Sequence, residues 1–227
     1  MRPPALRDVL QRLGAAYGPM RWWPAESPLE VVIGAVLTQN TRWGNVERAI
    51  DNLRAADCLT LESLLALPEA DLAQLIRPSG YFNIKARRLG SLLRFVAESG
   101  GIDALAGWEP ERLREALLAV HGIGPETADD ILLYAFDRPV FVVDAYTRRL
   151  FGRLQWAEAG AAYEHLRRRV EAELGSDAAV LNELHALIVE HGKRYCRPRP
   201  LCAECPLADI CAERLRREGL EGYTGRS

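Results

Sequence analysis

The sequence predicts an all-α protein. Three observations carry that reading: apolar residues recur at helical spacing along most of the chain, strand-type alternation is scarce, and short Pro/Gly punctuation separates the periodic stretches. Helices of about 8 to 18 residues joined by short loops follow.

In order, Pro4 to Gly18 ("PALRDVLQRLGAAYG") has the apolar spacing of a helix and a glycine stop. In "SPLEVVIGAVLTQNT", Ser27 is placed as N-cap, Pro28 takes the first helical position, and Glu30 sits where a capping box needs it. "NVERAIDNLRAA", "TLESLLAL", "EADLAQLI", "NIKARRLGSLLRFVAES" and "EPERLREALLAV" repeat the amphipathic pattern. A further helix is expected from Pro125 through "ETADDILLYAF", then a buried connector at Val140–Val143 that lacks partner strands. "AYTRRLFGRL", "AAYEHLRRRVEAEL" and "DAAVLNELHALIVEHGKRYC" complete the helices.

At 227 residues, 48% hydrophobic and 26% charged, the chain has the composition of a globular protein long enough for two modest domains. No apolar run approaches the roughly 18 residues of a membrane span, and the start lacks a secretory h-region. A cytoplasmic location is the default expectation. The net charge of −2 is unlike that of a basic nucleic-acid binder, but it is unevenly spread. Residues 1–137 hold 14 basic and 18 acidic side chains, and residues 138–227 hold 15 and 13. Only two of the basic residues are lysines, Lys85 and Lys193; genomic base composition is the plain explanation for the arginine excess. Few amines are therefore available for Schiff-base chemistry.

Four of five cysteines, Cys196, Cys202, Cys205 and Cys211, form a C-x5-C-x2-C-x5-C run, while Cys58 stands apart as a core thiol. Disulfides have a low prior in a cytosolic chain. A zinc site usually has two separated C-x2-C pairs; this compact run suits a [4Fe–4S] cube better, with zinc and redox thiols as the alternatives.

"VHGIGPETADDIL" reads as a tight turn between two helices. Gly122, Ile123 and Gly124 would make the turn, leaving backbone N–H groups beside a helix N-terminus suited to a DNA phosphate. Glu126 stands in the first turn of the second helix. Eighteen residues on, Asp144 ends an apolar run. It is expected to be partly desolvated, with a raised pKa, and could also cap the following helix.

Hairpin, Gly/Pro-rich loop, Asp144 and the four-cysteine run together resemble the endonuclease III superfamily of helix-hairpin-helix DNA glycosylases, over roughly residues 22–215. The resemblance implies two helical domains flanking a DNA-binding cleft, and a damaged nucleotide flipped out of the duplex. One domain would span 27–137 with the hairpin at about 113–133. The other would join 1–26 to 138–227 and hold a [4Fe–4S] loop at 196–211. The family has six residues between its first two cysteines where this chain has five. Asp144 matches the family aspartate, which stabilises the developing oxocarbenium or activates the attacking group. A lysine nucleophile occupies the position of Glu126 in bifunctional members. A glutamate cannot form that imine, which implies a monofunctional enzyme that uses water.

"WWPAESPLEVVIGAVLTQNT", "IRPSGYFNIKARRL" and "GIGPETADDILLYA" also resemble the 3-methyladenine DNA glycosylase III branch, which has Glu at the hairpin position. By that resemblance Trp22, Trp23, Pro24 and Trp43 would line the base pocket, where electron-rich rings suit cationic alkylated purines. Trp22–Trp23–Pro24 could instead staple the first helix to the second domain. Gln39 would fill the gap left by the flipped nucleotide, and Tyr81 would wedge the opposite strand. Gly122, Ile123, Gly124 and Thr127 would contact DNA, and Arg148, Arg149, Arg197 and Arg199 are candidates for added phosphate contacts. The implied partner is double-stranded DNA carrying a damaged base, met by a nucleoid-associated monomer without a membrane. Two other functions compete: a bifunctional glycosylase/lyase for oxidised pyrimidines, and a non-catalytic module that binds damaged DNA.

Overall fold

The computed structural model describes residues 3–20 and 22–219, which form helices and loops with no strand among them. No helix among the described residues is long and apolar enough to cross a membrane. The chain divides into two compact units: residues 23–138, and a unit drawn from both ends, 1–22 with 139–227.

The end-built unit opens with α1 (Leu6–Tyr17). The continuous unit then runs α2 (Pro28–Leu37), α3 (Trp43–Ala55), α4 (Leu61–Ala66), α5 (Glu69–Leu75), α6 (Phe82–Glu98), α7 (Ile102–Ala106), α8 (Pro110–Ala119) and α9 (Pro125–Asp130). The end-built unit resumes with α10 (Ala145–Arg153), α11 (Tyr163–Leu174), α12 (Ala178–Arg194) and α13 (Ala212–Arg217).

Helix α2 is the core of the continuous unit. Every residue from Glu30 to Leu37 is buried, and the helix packs on α3, α6 and α9. A helix apolar on all faces must be covered on all faces. Ser27 Oγ accepts from the Glu30 N–H at 3.2 Å, so half of the expected capping box forms. The other half differs: the Glu30 carboxylate accepts from the Glu26 N–H, and Arg54 of α3 pairs with its second oxygen. A cation on the flanking helix holds the carboxylate one residue outside the expected partner. The unit also begins at Trp23 and not at residue 27. The Trp23 ring lies on Gly34 of α2, where a Cβ would stand 3.1 Å from its Cζ2.

The helix expected from Pro125 to Phe136 is interrupted. Helix α9 ends at Asp130 and Ile131–Ala135 widen into a π turn. Such turns re-aim side chains within an otherwise regular helix. The Val140–Val143 run is a buried, extended connector without a strand partner, as expected.

In the end-built unit α12 packs on α1, α10 and α11. Its contact with α10 requires Gly192: a Cβ there would lie 2.3 Å from Cδ1 of Tyr146 and 3.2 Å from Arg149 Nη2. Gly192→Ala is expected to destabilise the chain by about 1–3 kcal/mol through overpacking. A fall in the urea midpoint at unchanged slope is the readout.

Candidate DNA-binding hairpin and catalytic acid

The loop between α8 and α9 is closed by Val120 N–H to Leu117 O at 3.0 Å and Ile123 N–H to Val120 O at 3.1 Å. Gly122 has φ +83°, a conformation that excludes a β-carbon at little cost only for glycine. It is also covered by the Arg88 stem, since a Cβ would lie 2.2 Å from Arg88 Cγ. Ile123 is 5% exposed and anchors the turn inward. Gly124 is the exposed, extended N-cap of α9, with no side-chain cap on the first turn. Glu126 is exposed on that turn. Thr127 faces the interior, and its Oγ1 accepts from Gln39 Nε2 at 3.0 Å. Behind the hairpin, Arg114 of α8 clasps the buried Asp129 of α9 through contacts of 2.6 and 3.1 Å.

Gln39 follows α2. Its Nε2 also donates to Gly122 O at 3.2 Å, and its Oε1 accepts from Arg88 Nη1 at 2.5 Å. Tyr81 is 69% exposed at φ +48°, at the start of α6. The loop before it is held from beneath by Lys85. That lysine is buried, and its Nζ donates to Ser79 O at 2.7 Å and Leu37 O at 2.9 Å. Burial, helped by the nearby Arg88 charge, lowers its pKa to about 8. Lys85 is thus a clamp between the end of α2 and the start of α6.

Asp144 is the N-cap of α10 in the end-built unit. Its Oδ1 accepts from the Thr147 N–H at 2.7 Å, and its Oδ2 lies 3.8 Å from Nε2 of the buried His185 on α12. The side chain is 14% exposed. The raised pKa expected from the apolar flanks is corrected here. Burial does push it up, but His185 and the Thr147 N–H together outweigh that push and hold the carboxyl below its ordinary value. Asp144 is therefore ionised at neutral pH, so it cannot serve as a proton donor there.

In the continuous unit Trp23, at φ +62°, stacks on Tyr134 (centroids 4.9 Å, 26°) and meets Trp43 edge-on at 5.3 Å. Pro24 is exposed beside it. Tyr134, which the sequence reading did not single out, sits on the π turn. Trp22 belongs to the other unit, where Lys193 Nζ lies 4.8 Å above its ring. The indole N–H groups of Trp22 and Trp23 are buried with no hydrogen-bond acceptor among the described residues.

The four arginine candidates lie in the end-built unit. Arg148 donates to Ala161 O at 2.7 Å, Arg149 to Cys196 O at 2.6 Å and Arg197 to Lys193 O at 2.8 Å, so these three also hold backbone carbonyls of that unit. Arg199 is exposed between Cys196 and Cys202.

The cysteine run wraps beyond α12. Arg153 Nη1 donates to Cys196 Sγ at 3.1 Å. His191 is buried and its pKa falls to about 4, so its ring is neutral. Tyr17 keeps its proton, since burial and the nearby Cys205 raise its pKa, and its hydroxyl meets His191 Nδ1 at 2.8 Å. His191 Nε2 lies 3.7 Å from Cys205 Sγ. Burial pushes the Cys205 thiol up to about 11 and raises Cys211 as well, and the other thiols of the run add to both. Among the described residues no three His, Cys, Asp or Glu side chains gather around a point that one metal ion could fill. The donor set itself is four sulfurs within electrostatic reach of one another, with the Arg153 guanidinium N–H aimed at Cys196 Sγ. That chemistry suits a soft metal group.

Residues 33–175 match the sequence profile of the HhH-GPD superfamily of base excision DNA repair proteins. A Methanocaldococcus jannaschii protein named as a candidate DNA repair glycosylase is 48% identical over 198 residues, 86% of this chain and 90% of that one. Endonuclease III of Thermotoga maritima is 35% identical over 193 residues, 85% of each. Among solved structures, H. pylori 3-methyladenine DNA glycosylase bound to 1,N6-ethenoadenine aligns with a TM-score of 0.71 at 30% identity, over 84% of this chain and 98% of that one. A non-covalent endonuclease III–DNA complex aligns with a TM-score of 0.80 at 23% identity, over 94% and 97%, a likeness of fold. With the profile spanning more than half of its length and near-half identity to a relative it almost fully covers, the chain belongs to the HhH-GPD superfamily of base excision DNA repair proteins.

Proposed function

We propose that this chain is a monofunctional DNA N-glycosylase that excises alkylated purines, with water as the nucleophile. The observation that carries the reading is Glu126, exposed on the first turn of the hairpin's second helix at the position where bifunctional members of the family carry a lysine. Asp144, the N-cap of α10, is the proposed catalytic carboxylate. An ionised carboxylate stabilises the positive charge that develops on the sugar as the bond from C1′ to the base nitrogen breaks. It supplies no proton to the leaving group. A purine alkylated on a ring nitrogen is cationic and leaves as a neutral base, so it needs none. Water then forms the C1′–O bond and its proton passes to solvent or to the carboxylate. The aromatic faces of Trp23, Trp43 and Tyr134 suit a cationic base by cation–π attraction. The H. pylori neighbour, by name a 3-methyladenine DNA glycosylase, supports the same substrate class.

In this reading Gly122 and Gly124 present backbone N–H groups to a phosphate while Ile123, whose own N–H closes the turn on Val120 O, anchors the loop. Gln39 fills the gap left by the flipped nucleotide, and Tyr81 enters the opposite strand. Cys196, Cys202, Cys205 and Cys211 would hold a [4Fe–4S] cluster whose chemistry here is to fix the 196–211 loop.

The test uses duplexes carrying an alkylated purine, an oxidised pyrimidine or an abasic site. Breaks that need alkali, at the alkylated base, with no adduct trapped by borohydride, are the expected result. Direct nicking with a trapped covalent adduct overturns the monofunctional assignment. Glu126→Lys tests the position itself: it should gain a borohydride-trapped adduct that the parent chain lacks.

A further inference from the structure

We infer that Arg88 is a positioning residue that locks Gln39 to the hairpin turn, so that the side chain proposed to recognise the gap is held in one orientation. The inference rests on the proposed function, and all of its contacts lie within the continuous unit. Arg88 projects from the second turn of α6. Its stem lies flat on Gly122, where only a glycine leaves room: a Cβ would meet Cγ, Cδ and Nε at 2.2, 2.6 and 2.9 Å. Its guanidinium then donates to Gln39 Oε1 at 2.5 Å.

That contact decides which way the Gln39 amide points. A guanidinium can only donate, so the amide oxygen must face it and the NH2 group must face away. The NH2 group meets two acceptors, Gly122 O at 3.2 Å and Thr127 Oγ1 at 3.0 Å. One charge-assisted hydrogen bond therefore orients a long, flexible side chain and, through it, the carbonyl of the turn. Without the cation the amide can flip, and its three rotatable bonds regain their freedom. Lys85, one turn earlier on the same helix, holds Leu37 O just before this loop, so α6 grips the loop at two successive turns.

The experiment measures binding to an intact duplex and to the same duplex with one abasic site. It compares the parent chain with Arg88→Met, Arg88→Lys, Gln39→Ala and the Arg88→Met/Gln39→Ala double variant. Arg88→Met keeps the stem on Gly122 and removes the charge. It should lose about tenfold of the preference for the abasic duplex. Its affinity for the intact duplex and its melting temperature should stay unchanged. Gln39→Ala should lose a similar factor, the double variant should lose no more than either single, and Arg88→Lys should recover most of the preference. Retained preference in Arg88→Met, or losses that multiply in the double variant, overturns the inference. So does an equal loss on intact DNA, which would make Arg88 a plain phosphate contact. A parent chain with no preference for the abasic duplex would count against the proposed function itself, a result separate from these.

Discussion

Asp144→Asn should lower turnover on the alkylated-purine duplex by about 10²–10³-fold while leaving lesion binding intact. The fold should survive the change, because an asparagine oxygen can still accept the Thr147 N–H that caps α10. What disappears is the negative charge. A non-catalytic damage-binding module would show almost no response, so retained binding with lost turnover separates the two functions. The same residue sets a pH expectation. Its carboxyl is held below the ordinary carboxylate value by His185 and the Thr147 N–H, against the effect of burial. The acid limb it contributes to kcat/KM should therefore fall below that value, with no loss attributable to Asp144 between about pH 5 and 7. For stability the sign is the same: a depressed folded pKa contributes stability at higher pH, lost as pH falls through the folded pKa. A kcat/KM profile with an acid limb near pH 6 that vanishes in Asp144→Asn would contradict this.

Cys205→Ser should have the largest effect on stability. If the four cysteines hold a [4Fe–4S] cluster, the purified chain should contain about four irons and four sulfides. Replacing one ligand should remove most of that iron and lower stability by several kcal/mol, since metal-binding free energy is folding free energy here. Elemental analysis with a thermal melt checks both parts. One zinc per chain and no iron would overturn the cluster assignment. Cluster removal should also have a proton signature. With the Cys205 thiol near 11 and Cys211 raised as well, these two thiols are protonated at neutral pH in the emptied loop. Reassembly must then release protons and should become more favourable as pH rises.

Much of the candidate site's local geometry was legible in the sequence because its parts are local. A glycine turn, a proline at the first helical position, an N-cap aspartate and a run of cysteines each depend on neighbours within a few residues. The Ser27 cap, the Gly18 stop and the buried Val140–Val143 connector have equally short-range causes. Other features needed distant partners. The Glu30 carboxylate was drawn off its capping role by Arg54, which lies twenty-four residues away. The direction of the Asp144 pKa turned on His185, forty-one residues further along on a different helix; apolar flanks alone argue for the opposite sign. Tyr134, not singled out in the sequence, stacks on Trp23 from the π turn.

The sequence by itself determined the all-helical class, the hairpin, the acid and the absence of a lysine at the hairpin position. These are set by residue type and spacing, and by the one-dimensional reach of a helix turn. Only the tertiary structure decided that Asp144 is held ionised, that Gln39 is bound to the hairpin under Arg88, and that Lys85 clamps two loops through buried carbonyls. The physical reason is common to all three. Electrostatic and hydrogen-bond energies fall off over a few ångströms, and the partners that matter lie within that range in space while standing dozens of residues apart in the chain.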